Sequence, residues 1–131
     1  MTLKLVLKPG ERVAINGAVI VNGDRRTTIA IENQARVLRE RDILRPRDAD
    51  TPAKRIYLPI MMMALEPERK AQFLPHYEAR LVEFTEAIVD REALQECAHL
   101  AAAVANGEFY RALTLCKRLM EFEKLRLAHV A

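Results

Sequence analysis

"VAINGAVIVNGDRRTTIAI", Val13 to Ile31, sets three short apolar runs around two Asn-Gly pairs and the adjacent arginines Arg25 and Arg26. Val13 and Ile15 repeat at a spacing of two, and so do Ile29 and Ile31. That spacing puts the apolar side chains of an extended chain on one face. Asn-Gly is the strongest two-residue hairpin signal, because both residues tolerate the positive φ that a type I′ turn requires. Upstream, Leu3, Leu5 and Leu7 alternate in the same way and are followed by Pro9-Gly10. The pattern predicts a meander of short strands near 2–8, 12–16, 18–22, 26–32 and 35–38, forming a small antiparallel sheet. Strands this short need one face covered.

The second half carries a helical period and supplies that cover. Thr51-Pro52 reads as an N-cap followed by proline at the first helical position. A helix from there to Leu65 is predicted, kinked at Pro59, with a strand over Lys54 to Leu58 as the competing reading. Pro67 and Pro75 punctuate the next segment, which is expected to be helical at least from Pro75 to Val89. Asp90 is the N-cap of a third helix that stops at Asn106-Gly107, and a fourth runs from Glu108 to about His129. The fold class is therefore α+β: a basic β-rich subdomain over 1–50 and a helical subdomain over 51–131, within one compact domain.

Charge also separates along the chain, at a point ten residues further on. Through Ile60 there are 12 Lys/Arg against 7 Asp/Glu, whereas the remainder holds 9 against 11. A concentrated positive field attracts polyanions and speeds their encounter. Lys8, Arg12, Arg25, Arg26 and the Arg36, Arg39, Arg41 cluster are the candidates to follow a nucleic-acid backbone by phosphate contacts. The chain has no tryptophan and only 5% aromatic residues. Readout by a broad stacking platform is therefore disfavoured relative to hydrogen bonding and shape. The competing reading of Arg25 and Arg26 is a solvated hairpin tip paired with Asp24 or Glu32.

Other chemistries find little support. The chain has no serine, and Cys97 and Cys116 lie within predicted helices as core thiols. Cys97 and His99 point about 200° apart around a helix, so they do not close on one metal. His76 and His129 are isolated and expected to be exposed, while Glu121 and Glu123 read as solvated charge. The four glycines form no phosphate-cradling loop. No catalytic residue, metal ligand, cofactor or small-molecule substrate is nominated. The longest apolar run, Ile60 to Leu65, is too short to span a bilayer, so a cytoplasmic, membrane-free protein is expected.

In the last helix, Phe109, Leu113, Cys116 and Met120 form one apolar stripe, and Ala112, Leu115, Leu119 and Phe122 an adjacent one. So wide an arc suits either core packing or a partner or self-association surface, for which Leu115 and Phe122 are the candidates. Met61-Met62-Met63 suits core gap-filling or an adaptable contact in the same way.

LVLKPGE (Leu5 to Glu11), Asn16-Gly17-Ala18, Asn22-Gly23-Asp24-Arg25-Arg26 and Val37-Leu38-Arg39-Glu40 leading into Asp42-Ile43 occur in an order and spacing that resembles the FlbT family of alphaproteobacterial flagellin regulators. The resemblance covers essentially the whole chain. It implies a post-transcriptional regulator that associates with the 5′ untranslated region of flagellin messenger RNA and promotes decay or limits translation. It also implies a link to a small FlaF-type regulator, and it supplies no binding residues. The alternative is an adaptor whose helical half binds FlaF, flagellin or a decay factor, with RNA contact only indirect.

Overall fold

The computed structural model describes residues 2–130, the side chains of 127–130 excepted. Within it the chain divides into two compact units, Met1–Ile43 and Leu44–Ala131.

The first unit holds five short strands: β1 (Leu3–Leu7), β2 (Arg12–Ile15), β3 (Ala18–Val21), β4 (Thr27–Ile31) and β5 (Val37–Arg39). The expected single sheet is corrected to two. β1 pairs with β4, and β2 lies between β3 and β5, all antiparallel. Leu5, Leu7 and Val13 are buried together, with Ile15, Ile29, Ile31 and Val37 packed against them. The apolar faces of the two sheets thus cover one another. β3 is an edge strand, and all four of its residues are exposed.

The two Asn-Gly pairs behave differently. Asn16 (φ 52°) and Gly17 (φ 90°) both take positive φ and close the β2–β3 hairpin in register, Ile15 opposite Ala18. Asn16 also accepts from the Arg36 N–H at 2.9 Å through Oδ1 and donates its own N–H to the Arg36 carbonyl at 2.8 Å. Asn22-Gly23, by contrast, is no hairpin turn, because β3 and β4 belong to different sheets. The Asn22 side chain donates to the carbonyls of Leu7 (3.2 Å), Lys8 (2.8 Å) and Arg25 (2.8 Å). Its backbone N–H reaches the Glu11 carbonyl, and the Gly10 N–H reaches that of Gly23. The segment is a crossover pinned against the Lys8-Pro9-Gly10-Glu11 turn.

The second unit contains α1 (Pro52–Leu65), α2 (Lys70–Ala87), α3 (Arg91–Ala105) and α4 (Phe109–Val130). α1 packs against α2 and α4, and α3 against α4. Thr51 caps α1 by accepting from the Lys54 N–H at 3.3 Å. Pro59 lies within a continuous helix, so the strand reading of 54–58 is excluded. α2 extends back to Lys70, includes Pro75, and stops at Ala87, two residues short of the expected Val89. Pro75 and Ala71, whose carbonyl loses its helical donor there, are both exposed, so water can serve that carbonyl. Asp90 caps α3 by accepting from the Glu92 and Ala93 N–H groups. Gly107 (φ 74°) ends it in a Schellman arrangement, with Gly107 N–H to Val104 and Glu108 N–H to Ala103.

The core of this unit is built on Ile56, Tyr57, Ile60, Met63, Leu100, Cys116 and Leu119, each less than 3% exposed. Met61 and Met63 are core fillers, and Met62 is half-buried. Glu121 is exposed, but Glu123 is more than solvated charge. Its Oε2 accepts from the Ala53 N–H at 3.1 Å, setting a carboxylate from α4 at the positive end of α1.

Two stability measurements follow. Asn22→Asp removes both amide donors and sets a carboxylate among three carbonyl oxygens. It is expected to cost about 1–3 kcal/mol in urea denaturation, and more than Asn22→Ala. Thr51→Ala deletes a single cap and is expected to cost about 1 kcal/mol by the same measurement.

Candidate nucleic-acid interface

Four of the seven cationic candidates meet. Lys8, Arg26, Arg39 and Arg41 line a depression of about 440 Å³ on the β unit, together with Val6, Glu11 and Glu40. Each comes from a different local device: Lys8 from the β1–β2 turn, Arg26 from the crossover just before β4, Arg39 from the end of β5, and Arg41 from the 3-10 turn that follows.

Arg39 is engaged within the fold. Its Nη2 donates to the Val6 carbonyl at 2.9 Å and to Glu11 Oε2 at 3.3 Å, joining β5 to the other sheet. Glu11 also accepts from the Lys8 N–H at 2.8 Å. That backbone bond, with the hydrogen bond and charge of Arg39, holds the Glu11 carboxyl below its ordinary range against the opposing effect of desolvation. Arg41 is 84% exposed, with Asp42 at 3.8 Å. Arg26 and Lys8 are exposed. The groove thus has one clamped guanidinium in its wall and three exposed cations around it, with the carboxylates of Glu11 and Glu40 tempering its field.

Arg12, Arg25 and Arg36 are not part of this lining. Arg12 precedes Val13 on β2, and Arg39 pairs with Val13, so strand alternation turns Arg12 to the opposite face. Arg25 is exposed, and its carbonyl accepts from Asn22 and Thr27. Arg36 is half-buried, with its backbone tied to Asn16.

On α4, Leu115 is only 5% exposed and belongs to the core. Phe122 is half-buried, with the Arg126 guanidinium 5.3 Å from its ring centroid. The wide apolar arc is therefore core from Phe109 to Leu119 and opens to solvent from Met120 onward. Arg126 also bonds Asp90 Oδ2 at 3.0 Å. Glu123 and Asn22, both decisive for the fold, were missed as such. An Asn before a Gly advertises only its backbone, and a glutamate on α4 gives no sign of which helix end it will meet.

Elsewhere the thiols are poorly suited to attack. Burial foremost, with Glu96 adding to it, pushes the Cys97 thiol up to about 11, and burial raises Cys116 further. His99 is exposed while Cys97 is buried, as the helical angle requires, and His76 is exposed. The side chain of His129 lies outside the described residues. Among the described residues no three His, Cys, Asp or Glu side chains gather as a metal site.

The fold and groove define a small α+β protein with a concave surface lined by four cationic and two acidic side chains. The chain belongs to the FlbT family: the family model described as Flagellar protein FlbT matches residues 3–127. It is 44% identical over its whole length to the flagellum biosynthesis repressor protein FlbT of Caulobacter vibrioides, covering 93% of that protein. It is 35% identical over 128 residues to the probable flagellum biosynthesis repressor protein FlbT 1 of Bradyrhizobium diazoefficiens, spanning 96% of this chain and 86% of that one. The corresponding protein of a Chelativorans species is 28% identical over 123 residues, 94% of this chain and 84% of its own. No solved structure matches. No helix among the described residues is long and apolar enough to cross a membrane.

The Glu11 clamp carries a pH signature. A carboxyl whose folded pKa lies below its ordinary 4.5 contributes stability that is complete above that value and is lost as pH falls through the lowered one. Acid titration of the β-unit amides by NMR is expected to show loosening only once the pH has fallen below the ordinary 4.5 of a glutamate, and Glu11→Gln should flatten that dependence.

Proposed function

We propose that this chain regulates flagellum biosynthesis after transcription, by binding the 5′ untranslated region of flagellin messenger RNA and promoting its decay or limiting its translation. The regulatory part rests on membership of a family whose curated relatives are named flagellum biosynthesis repressors. The RNA part rests on one observation, the convergence of Lys8, Arg26, Arg39 and Arg41 around a single groove. Guanidinium groups on short, hydrogen-bonded turns lose less freedom on binding than they would on a loose tail, and their planar donors match phosphate oxygens. Arg12, Arg25 and Arg36 stand outside that groove as secondary contacts along a longer RNA path.

Gel-shift titration with the flagellin leader at several salt concentrations tests this reading. Affinity should fall steeply as salt rises. Arg26→Ala combined with Arg41→Ala should weaken binding and reduce the log–log salt slope by about 1.4, at roughly 0.7 per lost single-strand phosphate contact. A slope unchanged by the double substitution would remove the groove from RNA binding.

The adaptor reading draws support from α4, where Phe122 is half-buried and Leu125 is 62% exposed. There the helical unit recruits a FlaF-type regulator, flagellin or a decay factor, or a second copy of the chain, and RNA contact is indirect. Phe122→Asp is expected to abolish capture of that partner while RNA affinity and the helical circular-dichroism signal stay unchanged. Leu115→Asp is unsuitable for this purpose, since it places a charge in the core.

A further inference from the structure

A second concave surface lies wholly within the helical unit, apart from the residues of the cationic groove. α1 and α2 form a hairpin joined through residues 66–69, which brings the start of α1 beside the far end of α2. Arg55, Leu58 and Met62 stand on one face of α1 at spacings of three and four, and Phe73, His76 and Arg80 repeat those spacings on α2. The six line a groove of about 350 Å³, with no carboxylate in its lining. Toward the connection between the helices the lining is apolar, through Met62 and Phe73. Toward the start of α1 it holds Arg55 and Arg80.

We propose that this groove docks an acidic peptide segment of a protein partner, one that places a large apolar side chain next to Asp or Glu. Three features select that occupant. The apolar lining residues Leu58, Met62 and Phe73 suit a single aliphatic or aromatic side chain, and methionine adapts to either. The two arginines of the lining, with no carboxylate among the lining residues, complement one or two carboxylates. Arg80 already holds the Glu83 carboxylate at 3.1 Å, one turn along α2, so an incoming carboxylate replaces a partner of the same chemistry. A nucleobase is disfavoured because Phe73 is the only aromatic six-membered carbocycle in the lining, and the Arg69 guanidinium already lies over it at 5.5 Å. This inference does not depend on the transcript reading.

The test is an array of decapeptides, probed with the full chain, that vary independently in Asp/Glu content and in the presence of one Leu or Phe. Signal is expected only where both features coincide. The best decapeptide, followed by fluorescence anisotropy, should lose at least about tenfold in affinity with Arg55→Glu combined with Arg80→Glu. If that pair loses its helical signal, Arg55→Gln with Arg80→Gln takes its place. Arg26→Ala with Arg41→Ala should leave peptide affinity unchanged, which separates this groove from the cations of the β unit. The proposal is overturned by a blank array, by equal binding of acidic peptides lacking an apolar residue, or by affinity that survives both arginine pairs. It is equally overturned if sedimentation shows that a second copy of the chain fills the groove.

Discussion

The contact on which the candidate interface depends is the fork of Arg39. One guanidinium nitrogen reaches the Val6 carbonyl on one sheet and the Glu11 carboxylate beside it, while its backbone completes the other sheet opposite Val13. Five strands of three to five residues form sheets too small to stand alone. Their shared apolar faces supply the cohesion, and Arg39 fixes the edge at which they meet. The same contact arranges the groove, because Glu11 is held by Arg39 on one side and the Lys8 backbone on the other. Arg39 is thus the organiser of the cationic surface, and the exposed charges of Lys8, Arg26 and Arg41 are the ones able to meet a ligand.

In the helical unit the corresponding centre is α1. Ala53, Ile56, Tyr57, Ile60 and Met63 form one buried face, and Pro59, Met61 and Leu65 on its flanks are buried as well, so neighbours enclose most of the circumference of the helix. Its first turn is held from two directions, by the Thr51 side chain locally and by Glu123 from α4. Proline at position 59 is compatible with this burial, since a helix enclosed by packing relies less on each backbone bond. The face of α1 left open carries Arg55, Leu58 and Met62, so a helix buried over most of its surface also walls the groove it shares with α2.

Much of this architecture was legible residue by residue, and the reason is locality. Thr51-Pro52, Asp90 and Asn106-Gly107 act within four residues of themselves, and each marks a helix boundary within a residue of where it falls. Asn16-Gly17 is equally local. Asn22-Gly23 offers the same two letters, yet strand pairing decides its role, because β4 pairs with β1, twenty or more residues back, and not with β3. The functional surface divides along the same line. The residue types and the basic half were visible in the sequence, but which cations share a face was not: Arg25 and Arg26 are adjacent in sequence, and only the second reaches the groove. Arg12 and Arg39 are likewise both basic strand residues, and the pleat separates them.

The placement of the two cysteines has a practical corollary. Both thiols of the chain lie in the helical unit, and both are buried. A thiol-reactive reagent therefore meets neither until that unit opens, and its rate of incorporation becomes a clock for the opening of one half of the molecule. The other half has no thiol to confuse the signal. The protein thus carries its own unmodified reporter, able to register whether a ligand that stabilises one unit is felt by its neighbour.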